Sequence, residues 1–184
     1  MDDKILMTEA IAGDLDKFGI LYERYKLPLY SYFYKLTGGQ GQSSEDLVHN
    51  VFYRVLKYRD QYKGEGSFAG WLFTIAHNVG IDFHRNEKRE VFQHIEIKDV
   101  HSWTDESHDL EKEERSGLLL KALSKLKTGE REILVLSKQD CLKYKEIAEI
   151  LNCNENTVKI KIFRALKKLK DIYLKLETDI TVHN

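Results

Sequence analysis

The chain has 184 residues, 42% of them apolar and 32% charged, with a formal net charge of −1. That composition excludes a disordered or collagen-like chain, and no run reaches the ~18 unbroken apolar residues that a membrane span needs. Cys141 and Cys153 form no CxxC pair, which excludes a zinc ribbon or a disulfide framework. Two buried, reduced thiols in a cytoplasmic protein are expected instead.

The opening, MDDKILMTEA, is acidic and lacks the apolar run of a signal peptide. From about Asp14 to Leu36, Leu15, Phe18, Tyr22, Tyr25, Leu29, Phe33 and Leu36 recur at steps of three or four. That spacing predicts one amphipathic helix. Pro28, the single proline, is expected to kink or split it. TGGQGQ, Thr37 to Gln42, reads as a loop. Ser43 with Asp46 has the spacing of a capping box and predicts the start of a second helix, with Leu47, Val51, Val55 and Tyr58 as inward candidates.

QYKGEGSFAGW is punctuated by glycine, and Ser67 is the expected N-cap of a third helix over about 68–90. Trp71, Leu72, Ile75, Val79 and Phe83 lie on its apolar side. Ahead of it, Arg54, Lys57, Arg59 and Lys63 alternate with Tyr53, Tyr58 and Tyr62, a mixture suited to single-stranded nucleic acid. From Glu96 to Glu114, eight acidic residues face Lys98 and Lys112, a local net of −6 that leaves +5 for the remainder. Residues 91–109 therefore read as an acidic linker.

A second helical domain is expected over 110–176, followed by a frayed tail, 177–184. Leu118, Leu119, Ala122, Leu123 and Leu126 mark its first helix, and Thr128 is the expected cap of the next, GEREILVLSKQ. YKEIAEILNCNENTVKIKIF has helix-turn-helix spacing. Ala148 is the small residue expected where the two helices meet, with Ile147 and Leu151 expected on the buried face of the first. Asn152 takes the turn position that needs a left-handed backbone, and Cys153 tucks in beside it. Val158, Ile162, Leu166 and Leu169 are expected to bury one face of the last helix. Its other face presents Asn156, Thr157, Lys159, Lys161, Arg164 and Lys168. Helices of this kind enter the major groove, where Lys and Arg reach phosphates or guanine and Asn reaches adenine.

Taken together, these segments resemble the sigma-70 family of RNA polymerase specificity subunits, in its extracytoplasmic-function (ECF) branch, over about Ile11 to Leu174. FGILYERYKLPLYSYFYKLTG, SSEDLVHNVFYRVLK and SFAGWLFTIAHNVGIDFHRNEKR resemble sigma region 2. LKTGEREILVLS and YKEIAEILNCNENTVKIKIFRALKKL resemble region 4. The resemblance implies an all-α chain of two small domains, a region 2 helical bundle (1–90) and a region 4 helix-turn-helix domain (110–176), joined by the acidic linker.

It also implies a function without catalysis, namely binding core RNA polymerase and directing promoter-specific initiation. The implied partners are the polymerase beta-prime coiled coil and beta flap, promoter DNA, and an anti-sigma factor. No catalytic residue, metal or cofactor is implied. Glu45, Asp46, His49, Asn50, Phe52 and Tyr53 would line the polymerase-binding face. Lys63, Gly64, Ser67 and Phe68 would lie in the loop that receives an unstacked base of the −10 element, with Asn78, Arg85, Lys88 and Arg89 on the same strand. In the recognition helix, Lys159, Ile160, Phe163 and Arg164 would meet the −35 element, flanked by Asn156, Thr157, Lys161, Lys167 and Lys168. Where many relatives have a small polar residue, Ile160 can touch a thymine methyl but cannot donate a hydrogen bond.

Two rivals remain at this stage. One is a stand-alone helix-turn-helix regulator of duplex DNA. The other is a metal-dependent hydrolase using His77, His84 and His94, which lack an i, i+4 pair with an intervening Glu.

Overall fold

A computed structural model describes residues 1–90 and 110–182, without the side chains of 87–90, 110–114 and 180–182. Among the described residues there are eight α-helices, one short 3-10 turn and no strand. The all-α expectation holds. Two compact units form, one from 1–33 with 42–90 and the other from 34–41 with 110–182.

The first unit opens with a helix not foreseen from the sequence, α1 (Asp3–Ile11). Asp2 caps it by accepting the Lys4 N–H at 3.1 Å. Leu6, Met7 and Ala10 are its buried residues, and it packs on α4 (Phe68–Glu90). The second helix, α2 (Leu15–Leu36), runs continuously through Pro28 rather than splitting there. Proline removes one N–H from the helical ladder. Tyr25, Leu29, Tyr32 and Phe33 are buried on both sides of it and hold the two halves in one core.

Gly38 and Gly39 adopt positive φ, and the Gly39 N–H closes α2 by donating to the Tyr34 carbonyl at 2.8 Å. Helical geometry then resumes at once, so α3 (Gly41–Lys57) begins before Ser43. Ser43 is therefore inside the helix and not its cap, and Ser44 is fully buried. By contrast α4 starts as expected, with Ser67 Oγ accepting the Gly70 N–H at 3.0 Å.

Aromatic edges join these helices. Phe52 of α3 meets Tyr22 and Phe18 of α2 at 4.7 and 5.9 Å between centroids, and Phe73 of α4 meets Tyr32 of α2 at 5.6 Å. A buried ring such as Phe52 or Phe73 contributes about 1.5–3 kcal/mol by leaving water, and its edge contact adds a little more.

In the second unit, α5 (Leu110–Ser124), α6 (Thr128–Ser137) and α7 (Tyr144–Ile150) all pack on one long helix, α8 (Glu155–Val182). Its core holds Ala122, Leu123, Leu126, Ile133, Leu136, Ile147, Ala148, Val158 and Ile162. Several local expectations change. The residue ahead of α6 is Lys127, whose N–H donates to the Glu130 carboxylate at 3.1 Å, and Thr128 is already helical. Leu119 and Leu166 are exposed, and Ala165 is buried where Leu166 was expected. Tyr58 is exposed as well. Of the two thiols, Cys141 is exposed and Cys153 half-buried, because both sit in the short connections that bracket α7. Past Leu176, where the sequence suggested a frayed tail, α8 continues to Val182.

Candidate polymerase and nucleic-acid interfaces

The helix-turn-helix is built around Asn152. Its φ is 47°, the only positive value at a non-glycine position among the described residues. This left-handed residue ends α7 in a Schellman turn. The Cys153 N–H reaches back to the Ala148 carbonyl at 2.9 Å, and the Asn152 N–H to that of Glu149 at 3.2 Å. Asn154 then caps α8, its Oδ1 accepting both the Thr157 N–H at 2.7 Å and the Thr157 hydroxyl at 2.9 Å. Two asparagines two positions apart thus end one helix and begin the next.

The outward face of α8 carries Asn156, Lys159, Ile160, Lys161, Phe163, Arg164 and Lys167, all exposed. Phe163 is 72% exposed and Ile160 52%, high values for apolar side chains. Thr157 is half-buried and engaged with Asn154. Lys159 pairs with Glu155 at 3.3 Å one turn back. Lys168 stands apart from the others. Its ammonium lies 2.8 and 3.1 Å from the two carboxylate oxygens of Glu130 on α6. That ammonium first, and also the Lys127 N–H, hold the Glu130 carboxyl below its ordinary value, against the opposing effect of burial. Lys168 therefore ties α8 to α6 and is not a free cation.

On the first unit, Asp46, His49, Asn50 and Tyr53 of α3 are exposed, Tyr53 at 65%, and Glu45 is half-buried. The expected outward placement of Phe52 is corrected. It is 4% exposed and lies against Phe18 and Tyr22, because α2 covers that side of α3. Asn50 accepts a hydrogen bond from Arg54 Nε at 3.1 Å.

The loop after the 3-10 turn Arg59–Gln61 carries Gly64 and Gly66 at φ values of 69° and 72°, a backbone that side chains rarely adopt. Lys63 and Ser67 are exposed, and Ser67 is engaged as the α4 cap. Phe68 is corrected as Phe52 was. It is 2% exposed and packs on Tyr25 at 5.4 Å and Tyr62 at 5.9 Å, so it floors the loop rather than facing out of it. Tyr62, read as one of three surface tyrosines, is buried too, with Trp71 5.1 Å away. Burial first, then Asp2 and Asp3, push the Tyr62 phenol up. Gly64 is also covered. A Cβ built there would lie 2.9 Å from Lys4 Cε, whereas one at Gly66 would meet open space. The sequence reading missed Lys4 because it missed α1.

Along α4, Asn78 and Arg85 are exposed. Arg85 pairs with Asp82 at 3.0 Å, and Arg54 of α3 reaches the other oxygen of that carboxylate at 2.9 Å. The side chains of Lys88 and Arg89, and all of His94, lie outside the described residues. No group of His, Cys, Asp and Glu among the described residues could hold a metal ion. Nor is any described helix long and apolar enough to cross a membrane.

Two all-helical units, one of them a helix-turn-helix with a basic outward face, define a transcription-factor architecture of the promoter-reading kind. The comparisons narrow it. The family model Sigma-70 region 2 matches residues 21–90, and Sigma-70, region 4 matches residues 116–169. The RNA polymerase sigma factor YlaC of Bacillus subtilis is 29% identical over 160 residues, 84% of this chain and 91% of its own. The ECF RNA polymerase sigma factor BldN of Streptomyces coelicolor is 30% identical over 167 residues, 89% of this chain and 63% of its own. Among solved structures, the sigma factor RpoE in complex with the anti-sigma factor NepR, from Bartonella quintana, superposes with a TM-score of 0.69 at 25% identity. That superposition covers 84% of this chain and 95% of that one. The chain belongs to the sigma-70 family, in its ECF branch. As a sigma factor it binds core RNA polymerase and promoter DNA and directs promoter-specific initiation, and a stand-alone regulator is not favoured.

Proposed function

We propose that this factor divides promoter reading between its two units. The unit holding α1 to α4 binds polymerase and captures the −10 strand, and the unit holding α5 to α8 reads the −35 element. The boundaries are those of the sequence reading, 1–90 and 110–176, with 91–109 as the connecting acidic segment. The factor acts in the cytoplasm and performs no catalysis of its own. The exposed side of α3 (Glu45, Asp46, His49, Asn50 and Tyr53) docks on the beta-prime coiled coil, and the second unit tethers to the beta flap.

The observation that carries this reading is the outward face of α8. Ile160 and Phe163 stand exposed between Lys159, Lys161, Arg164 and Lys167 on a helix fixed by the Asn152 turn. An apolar pair inside a basic rim suits a major groove that offers thymine methyls between phosphates. Asn156 completes the base-reading set. Phe52, Phe68 and Lys168 leave the contact sets and act by holding α3, the 62–68 loop and α8 in place. An anti-sigma protein is a further expected partner. The RpoE–NepR complex supports this through likeness of fold and sequence.

Run-off transcription with purified core polymerase over a genomic promoter library tests the proposal. The expected result is a subset of promoters used only when the factor is present. Duplex binding that is equally tight without core enzyme would sink it.

A further inference from the structure

The side chain that covers Gly64 belongs to α1, which lies ahead of the residues matched by the region 2 model, 21–90. The Lys4 stem runs over the glycine, with Cε 2.9 Å and Nζ 3.6 Å from where a Cβ would stand. Its ammonium is therefore delivered to the loop that also holds Lys63, and both lysines are exposed.

Several other basic side chains of this unit are already engaged. Arg24 is paired with Asp3, Arg54 and Arg85 share Asp82, and Arg59 lies 4.0 Å from Asp60. Lys4 and Lys63 have no ion pair among the described residues. Of the acids at this end, Asp3 of α1 takes Arg24 and the Tyr25 hydroxyl, while the cap residue Asp2 accepts the Lys4 N–H. Both carboxylates also act on Tyr62 of the loop and oppose an anion there. Glu65 is exposed on the same loop, and its carboxylate opposes an anion there.

We propose that Lys4 and Lys63 form a phosphate clamp on the 62–68 loop, gripping the single-stranded DNA backbone beside the nucleotide that the loop receives. The proposal rests on the −10 reading given above and adds a contact from outside the matched region. Lys4 brings one cation to the loop and Lys63 stands exposed on it, and the open space at Gly66 leaves a phosphodiester free of a steric barrier there. The two cations add a sequence-independent contribution to strand capture.

Holoenzyme assembled from core polymerase and full-length factor tests this. Binding of a fluorescent mixed-sequence single strand and of oligodeoxythymidine is titrated at several salt concentrations. Lys4→Met keeps the stem over Gly64 and removes the charge, and Lys4→Arg keeps the charge. The expected result is binding about 3–10-fold weaker for Lys4→Met. Its log–log salt slope should be shallower by ~0.7, the change for one lost phosphate contact on a single strand. Lys4→Arg should match the wild type, and neither variant should change core affinity or melting temperature. Wild-type slope and affinity in Lys4→Met would overturn the clamp alone. So would a loss that tracks weaker core binding or a lower melting temperature. A wild-type holoenzyme that fails to bind either strand would overturn the −10 reading beneath it.

Discussion

Arg54 on α3 and Asp82 on α4 meet at 2.9 Å, and the same carboxylate holds Arg85 at 3.0 Å with its other oxygen. One acid therefore restrains two of the cations that the sequence set aside for DNA. Asp82→Asn leaves both arginines a neutral acceptor. It should lower stability by no more than about 1 kcal/mol, since the pair is partly solvated. It should also strengthen non-specific single-strand binding by the holoenzyme and steepen its salt slope. Urea melts and a salt series on an oligodeoxythymidine probe measure the two effects. An unchanged slope would show that neither arginine is available to the strand even when released.

Phe163→Ala and Ile160→Ala should each weaken binding to a −35 duplex by roughly 1–3 kcal/mol. Both side chains are exposed, so neither change should lower the melting temperature. Replacing thymine by uracil in the duplex removes the methyl group and keeps the hydrogen bonds. Wild-type factor should lose affinity for the uracil duplex. The alanine variants should bind both duplexes nearly alike, because the contact has already gone.

The pair between Glu130 and Lys168 gives a signed pH dependence. Glu130 has its carboxyl lowered in the folded state, chiefly by Lys168. Its stabilisation is therefore fully present above the ordinary carboxylate range and is lost as pH falls through the lowered folded value. Glu130→Gln should cost at most about 1 kcal/mol near neutral pH, with the difference from wild type vanishing in acid. Thermal melts across that range test it. Lys168→Ala should weaken duplex binding less than Lys167→Ala, since Lys168 is committed to Glu130.

Asn152→Ala should destabilise the second unit by about 1–2 kcal/mol, because alanine lacks the local hydrogen bonding that lets asparagine hold a left-handed backbone. Asn152→Gly should be close to neutral. Denaturant unfolding followed by helical circular dichroism separates the two. Equal losses for both variants would point to the Asn152 side chain instead of its backbone.

What the sequence made legible depended on whether the signal was local. Asn152 and Ser67 were read correctly because a left-handed turn and an N-cap are set by one or two neighbouring residues. Ser43 failed because Gly38 and Gly39 closed the preceding turn early enough for α3 to begin at Gly41. Phe52, Phe68 and Tyr62 were placed outward or on the loop surface, yet they are buried. Their burial comes from α2 and from partners in the aromatic cluster, and the spacing within one helix does not reveal it. Helix α1 escaped notice because Leu6, Met7 and Ala10 are too few to form a sustained periodic stripe. Missing that helix also hid Lys4.

The contact of Lys4 with Gly64 also bears on how freely such factors can be recombined. The 62–68 loop looks portable, a short glycine-punctuated segment between two helices. Its cover, however, comes from a helix near the opposite end of the same unit's sequence. A chimera that transplants the loop alone would leave Gly64 facing whatever the host's first helix supplies. Loop and first helix should therefore be exchanged as a matched pair when promoter preference is to be moved from one factor to another.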